Sequence, residues 1–146
     1  MATPKKETRV LVADDDQAIR QLVCTIIRRE GLDVDCVADG ADAIDMLRDH
    51  DYAVLLIDLM MPRVDGFGVI EYLKSHPTPQ KPVVLVISAY ADQKFKEVEP
   101  TVVTGVVRTP FEVASLGALV RLCVDGYDDA VGTAAPRAED PVNAVM

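Results

Sequence analysis

Acidic residues follow two apolar runs of this 146-residue chain, and a hydroxyl residue follows a third. Asp14 and Asp15 end the first run, Asp58 ends another, and Ser88 ends a run further along. Carboxylates that share a pocket raise one another's pKa, because like charges repel. Mg²⁺ relieves that repulsion with its preference for oxygen ligands, and a carboxylate oxygen is a competent nucleophile toward phosphorus. If the fold brings these residues together, metal-assisted phosphoryl chemistry is expected.

The elements that would position them form a regular alternation of strands and helices. Apolar runs predict five strands, and residues at helical spacing after each strand predict five helices. The strands are predicted at 9–13, 32–37, 52–57, 83–87 and 102–107, and the last two helices at about 92–99 and 111–124. Such alternation indicates an α/β domain with a doubly wound parallel sheet, whose ligands bind beyond the carboxyl ends of the strands. The three loops should therefore meet at one edge.

A simpler explanation exists for some of these acids. Asp14 or Asp16 could serve only to cap the following helix, as Asp often does after a strand. That explanation is weaker for Asp58, because the next helix is predicted to begin several residues later. The convergence of three loops favours a functional site.

Composition and net charge limit the classes of partner and the location expected for this chain. With 15 Lys and Arg against 24 Asp and Glu, the net charge of −9 disfavours DNA and anionic lipid as partners. No apolar run is long enough to span a membrane, and nothing directs the chain to export, so we expect a cytoplasmic protein. The three cysteines lack paired spacing and are interpreted as reduced core residues. We predict an N-terminal tail at 1–7, one domain at 8–125 and a flexible acidic tail at 126–146.

Four segments closely resemble the receiver domains of two-component response regulators. They are VLVADDD at 10–16, LLIDLMMPRVDGF at 55–67, VISA at 86–89 and TPF at 109–111. The resemblance covers about residues 9–124. It implies a flavodoxin-like (βα)5 fold with five parallel strands in the order 2-1-3-4-5.

The resemblance also implies site roles. Asp58 matches the phosphoacceptor, which takes a phosphoryl group from a histidine kinase or phosphotransfer protein in the presence of Mg²⁺. Asp15 matches the direct metal ligand, Asp14 the acid that acts through water, and Met60 the residue whose backbone carbonyl binds the metal. Ser88 matches the hydroxyl that contacts the phosphoryl oxygens.

Two positions depart from the family pattern. Thr109 stands where receivers carry a lysine, and Val106 stands where most carry the aromatic switch residue. Arg108 precedes Thr109, but neighbouring side chains of a strand point to opposite faces, so it should aim away from the pocket unless a bulge changes the register. An alternative is that Arg108 substitutes for the lysine. The Thr109-Pro110 bond is expected to be cis, as the matching bond is in receivers.

The leading hypothesis is a stand-alone receiver that is phosphorylated on Asp58 and signals by contacts with a downstream protein, because no effector domain follows Val124. It is not expected to be an enzyme beyond its own phosphorylation and dephosphorylation. The resemblance implies a candidate homodimer surface on the fourth helix, fifth strand and fifth helix. The alternative is a pseudo-receiver, an interaction module that works without phosphorylation. A dehalogenase-type phosphatase is disfavoured, because Met60 occupies the position of its second aspartate.

Overall fold

The computed structural model describes residues 9–78, 81–88 and 100–132. Its strands are β1 (Arg9–Ala13), β2 (Asp33–Val37), β3 (Val54–Asp58), β4 (Val83–Ser88) and β5 (Gly105–Arg108). Its helices are α1 (Gln17–Arg29), α2 (Gly40–Asp49), α3 (Gly66–Ser75) and α4 (Val113–Gly132). The helix predicted at about 92–99 lies outside the described residues, as does the N-terminal tail, so the last helix carries the label α4.

All pairs of neighbouring strands are parallel, in the order β2-β1-β3-β4-β5. This confirms the predicted fold class and strand order. Strands β1, β3 and β4 read as unbroken apolar runs because both faces of the sheet are covered. One face packs against α1 and α4, where Ile27 and Val120 are fully buried, and the other packs against α2 and α3, where Ala43 and Val69 are fully buried.

Aspartate side chains fix where three helices begin. Asp16 caps α1 by accepting from the backbone N–H groups of Ala18 and Ile19. Asp39 caps α2 and Asp65 caps α3 through the N–H groups three residues further on. Each carboxylate satisfies an N–H that has no partner inside its helix. Three of the four helices in the described part of the chain therefore begin at the carboxyl edge of the sheet with a fixed first turn.

The C-terminal helix continues past the predicted domain boundary at 125. It is helical as far as Gly132, the last residue that the structure describes in this region, whereas the sequence predicted an end near Val124. Buried residues recur at helical spacing through Leu116, Val120, Val124 and Tyr127, so the apolar stripe extends beyond the point where the composition becomes acidic. The residues from 133 onward lie outside the described part.

All three cysteines lie in or against the core as predicted, but the predicted reduced state was wrong for two of them. Cys24 of α1 and Cys36 of β2 are joined by a disulfide, and Cys123 has a free thiol. The two partners lie 12 residues apart without a recognisable spacing motif, and they meet because α1 packs on β2. Within the described ranges, no helix combines the length and the apolar character needed to cross a bilayer.

Candidate functional site

Three carboxylates converge at the carboxyl edge of the sheet. Asp14 and Asp15 directly follow β1, and Asp58 is the last residue of its neighbour β3. One carboxylate oxygen from each residue lies within 4.8 Å of the other two. Parallel pairing of β1 with β3 places both strand ends at the same level, which is why residues more than forty positions apart lie in one cluster.

The innermost of the three is Asp14, the one buried charged residue in the described part of the chain. Burial raises its pKa to about 6, and the neighbouring charges of Asp58, Asp15 and Asp16 add to this rise. A hydrogen bond from the Asp16 backbone N–H, 2.9 Å long, opposes it. A buried carboxyl with this pKa favours a cationic partner at neutral pH, because a nearby cation stabilises its charged form.

Asp58 is partly buried, and desolvation raises the pKa of its carboxyl, with the charge of Asp15 as a further cause. Its Oδ1 accepts a hydrogen bond of 3.3 Å from the backbone N–H of Met60. The Met60 side chain is 67% exposed. The backbone of Met60 therefore lies beside the acidic cluster, while its side chain faces solvent.

In the first acidic loop, one aspartate caps the helix and another lies in the cluster. Asp16 is the cap of α1, whereas Asp14 turns toward Asp58. The guanidinium of Arg20 donates a hydrogen bond of 2.8 Å to the backbone carbonyl of Asp14. This contact was missed by sequence reasoning, since an arginine within an amphipathic helix carries no signal that it reaches back to the preceding loop.

The β3–α3 loop, residues 59–65, is held at both of its ends. The N–H of Gly66 donates to the carbonyl of Leu59, and a Cβ at Gly66 would lie 2.5 Å from the Asp58 carbonyl oxygen. The N–H of Gly40 donates to the carbonyl of Val64 over 2.8 Å, which ties the loop to the start of α2. The loop that follows Asp58 is therefore fixed by backbone contacts on two sides.

Ser88 ends β4 at the same edge of the sheet. Its backbone lies one residue beyond Ile87, the β4 residue in register with Asp58, and Ser88 itself is in register with Arg108 of β5. The side chain of Ser88 lies outside the described part of the structure. The backbone position agrees with the expected convergence of the third loop.

The residues that depart from the receiver pattern lie on β5 and directly after it. The Thr109-Pro110 peptide bond is cis, which confirms that prediction, and Thr109 is half-buried. The Arg108 side chain is exposed, and the described side chains include no ion pair between it and the three carboxylates. Val106 is half-buried and packs against the core on the α2 and α3 face of the sheet.

The donor set of the acidic cluster fits a hard divalent cation. Three carboxylates offer oxygen atoms at mutual distances that a single ion can bridge, and the burial of Asp14 and partial burial of Asp58 make the shared negative charge costly without one. The same carboxylates could supply a nucleophilic oxygen. The arrangement is therefore suited to metal-assisted attack on a phosphoryl group.

Sequence comparison finds one matching family, described as the response regulator receiver domain, over residues 10–121. Among curated proteins, the chain is 32% identical over 84 residues to the transcriptional regulatory protein GltR of Pseudomonas aeruginosa, a match that covers 58% of this chain and 35% of that protein. It is 32% identical, also over 84 residues, to the regulatory protein AtoC of Escherichia coli, covering 58% of this chain and 18% of AtoC. The match thus spans about a third or less of these relatives.

Solved structures agree with this match. The receiver domain of the Francisella response regulator 1452 superposes with a TM-score of 0.73 at 28% identity, covering 81% of this chain and 97% of that one. The chemotaxis response regulator CheY4 of Vibrio cholerae superposes with a TM-score of 0.72 at 24% identity, covering 81% of this chain and 99% of that one. At that lower identity, the second likeness shows the fold alone.

Proposed function

This chain belongs to the response regulator receiver domain family, and on that basis we propose that it accepts a phosphoryl group on Asp58 in a reaction that requires Mg²⁺. As a receiver domain of two-component signalling it is not a conventional enzyme. The observation that carries the proposal is the approach of the Asp14, Asp15 and Asp58 carboxylate oxygens to within 4.8 Å of one another.

In the proposed reaction, a carboxylate oxygen of Asp58 attacks the phosphorus of a phosphohistidine or a small phosphodonor. The new O–P bond forms as the bond from phosphorus to the donor breaks, and the donor leaves with that electron pair. Asp15 would bind Mg²⁺ directly, Asp14 would hold it through water, and Met60 would offer its backbone carbonyl. When bound, Mg²⁺ neutralises charge on the phosphoryl oxygens.

The hydroxyl of Ser88 is proposed to hydrogen-bond the phosphoryl oxygens, a role supported by its place at the end of β4 beside Asp58. Thr109 occupies the usual lysine position, so the link from phosphoryl group to β5 would lack a charge-assisted contact. Val106 has no ring to rotate, which removes an aromatic-coupled response at this position. The exposed side chain of Arg108 argues against its acting as the replacement cation.

Phosphorylation is tested by incubating the protein with acetyl phosphate and Mg²⁺ and measuring its intact mass. We expect the mass of one phosphoryl group to be gained, and the gain to be lost in Asp58→Asn and after chelation of the metal. Asp16→Asn is the matched control, because Asp16 caps α1 outside the carboxylate cluster and asparagine caps equally well. An unchanged wild-type mass, with no Mg²⁺-dependent response to beryllofluoride, would exclude the proposal.

A pseudo-receiver is the second candidate, favoured by Thr109 and Val106 in the lysine and aromatic positions. In that case the domain would bind its partner equally well whether or not Asp58 carries a phosphoryl group. Capture of partners by wild-type protein and by Asp58→Asn, each with and without beryllofluoride, separates the two functions.

The proposed partners are a histidine kinase or phosphotransfer protein and a downstream protein target, in the cytoplasm. A homodimer through β5 and α4, with the segment predicted as the fourth helix, is also proposed. It is supported by Leu122, an α4 side chain that is 69% exposed. Sedimentation with and without beryllofluoride tests the dimer. That the receiver is stand-alone stays a prediction, which the mass of the protein isolated from its own cells would test.

A further inference from the structure

Arg63 belongs to the β3–α3 loop, but its side chain leaves that loop and contacts α2. Its Nε donates to Asp39 Oδ2 over 2.8 Å, and its Nη2 donates to Asp39 Oδ1 over 3.0 Å. The same Nη2 donates to Asp42 Oδ1 over 3.0 Å. A two-point contact between a guanidinium and a carboxylate fixes both distance and orientation, which a single ion pair does not.

The α2 end of this contact is itself well fixed. Asp39 caps α2 by accepting from the Asp42 backbone N–H, and its side chain is 14% exposed compared with 58% for Arg63. The hydrogen bonds from Arg63 lower the pKa of Asp39, so the carboxylate stays ionised at neutral pH. The loop is thus held by a carboxylate that cannot move without disrupting the first turn of α2.

A chain of backbone contacts connects this anchor with the acidic cluster. Val37, at the end of β2, accepts a hydrogen bond of 3.2 Å from the N–H of Asp14, and α2 begins three residues after Val37. On the other side, Gly40 of α2 donates to Val64 of the β3–α3 loop. The α2 start therefore lies between the loop that carries Asp14 and the loop that follows Asp58.

The backbone of Arg63 has a left-handed conformation, with φ of 64°. Glycine adopts this conformation without cost and asparagine tolerates it, whereas an arginine is held there only by its surroundings. Backbone geometry alone thus favours a different residue at this position. The arginine at this position is therefore explained by the contacts of its guanidinium and not by its backbone conformation.

We propose that Arg63 is a positioning residue of the acidic cluster: by binding Asp39 and Asp42, it holds the β3–α3 loop so that Asp58 and the Met60 backbone lie at the distance from Asp14 and Asp15 that a bound divalent cation requires. The metal part of this inference, that Arg63 supports a bound cation, rests on the proposed function. The loop part, that Arg63 holds the β3–α3 loop in place, does not.

Arg63→Asn is the decisive variant, because asparagine keeps the left-handed backbone while removing the guanidinium. Arg63→Lys keeps the charge but cannot form the two-point contact, so its loop exchange rate and Mg²⁺ affinity should lie between those of wild type and Arg63→Asn. Arg48→Gln is the matched control. Arg48 is 59% exposed and forms a 3.0 Å ion pair with Asp45 within α2, and among the described residues it forms no hydrogen bond or ion pair with the β3–α3 loop.

Two measurements are made on each full-length variant. Hydrogen exchange of the metal-free protein should show faster exchange over 58–66 in Arg63→Asn, with wild-type rates in Arg48→Gln. Calorimetric titration with Mg²⁺ should show affinity weakened by about tenfold in Arg63→Asn, a typical loss when a residue supporting a metal ligand is removed. The melting temperature should change little, since the Arg63 side chain is 58% exposed and asparagine suits the backbone.

Faster exchange with unchanged Mg²⁺ affinity would overturn the positioning role, as would unchanged exchange. An equal loss of affinity in Arg48→Gln would overturn it as well, because general surface charge would then explain the effect. If wild-type protein binds Mg²⁺ but gains no phosphoryl group, the proposed function fails while the positioning role stands. If wild-type protein does not bind Mg²⁺, both the proposed function and the metal part of this inference fail.

Discussion

The carboxylates of Asp14 and Asp58 face each other across the ends of adjacent parallel strands, and only 6% of Asp14 is exposed. Two acids in this position repel each other, and neither can be fully hydrated. Ionising both acids therefore lowers the free energy of unfolding by an amount that depends on pH and on a bound cation, and both dependences can be measured.

The first prediction is that the metal-free protein loses stability as the pH rises through about 6. The folded-state pKa of Asp14 lies above 3.8, the value for a fully hydrated aspartate, so the contribution of this group to stability is fully present below pH 3.8 and is lost as the carboxyl ionises near pH 6. This group alone should lower the free energy of unfolding by about 1 kcal/mol between about pH 5 and pH 7. Urea unfolding measures the free energy at each pH, and Asp14→Asn should remove this part of the pH dependence. An identical pH dependence in the variant would contradict the assignment.

The second prediction concerns Mg²⁺, which should stabilise the protein more at neutral than at acidic pH. Below about 6 the Asp14 carboxyl is increasingly protonated and repels the other acids less, so the cation gains less by binding. At a concentration about one hundred times its Kd, Mg²⁺ should add about 2.7 kcal/mol to the free energy of unfolding. Thermal melts should show this gain in wild type and Asp16→Asn but not in Asp15→Asn. Equal gains in both variants would argue against a site at the cluster.

The third prediction concerns the lysine position. Thr109→Lys should strengthen Mg²⁺-dependent binding of beryllofluoride, because an ammonium can pair with the anion where the half-buried threonine cannot. A charge-assisted contact of this kind is worth about 1.5–3 kcal/mol, or at least tenfold in affinity. Titration of wild type, Thr109→Lys and Arg108→Gln with beryllofluoride in the presence of Mg²⁺ measures this affinity. A large loss in Arg108→Gln would instead show that Arg108 already supplies the cation.

The fourth prediction compares two glycines. Gly40→Ala should lower the free energy of unfolding by about 1–3 kcal/mol, because its Cβ would collide with the Val64 backbone carbonyl, which has little room to move. Gly126→Ala has open space around the new Cβ in α4 and should raise stability by up to about 1 kcal/mol. Urea unfolding of both variants gives the comparison. Equal effects would mean that the α2 start and the β3–α3 loop do not approach as closely as described.

Periodicity was a good guide to the elements but a poor guide to their limits. The apolar run at 102–107 predicted a whole strand, yet β5 covers Gly105–Arg108, and Val103 is buried in the irregular segment before it. An apolar run reports burial, and a buried irregular segment has the same composition as a buried strand. Tyr127 shows the opposite error, since this buried residue two positions after Asp125 belongs to α4, although the sequence predicted that the helix ends near Val124.

The sequence by itself determined the fold class and the three acids of the cluster. Alternating strands and helices predict parallel strands, whose carboxyl ends lie at one edge, and the resemblance to receiver domains implied that the first strand pairs with the third, so Asp14, Asp15 and Asp58 were expected to approach one another. Only the tertiary structure decided how deeply Asp14 is buried and that Arg63 contacts an aspartate 24 residues away. Periodicity records which face of an element is buried, whereas these contacts depend on the path of a loop and on the packing of one particular pair of side chains.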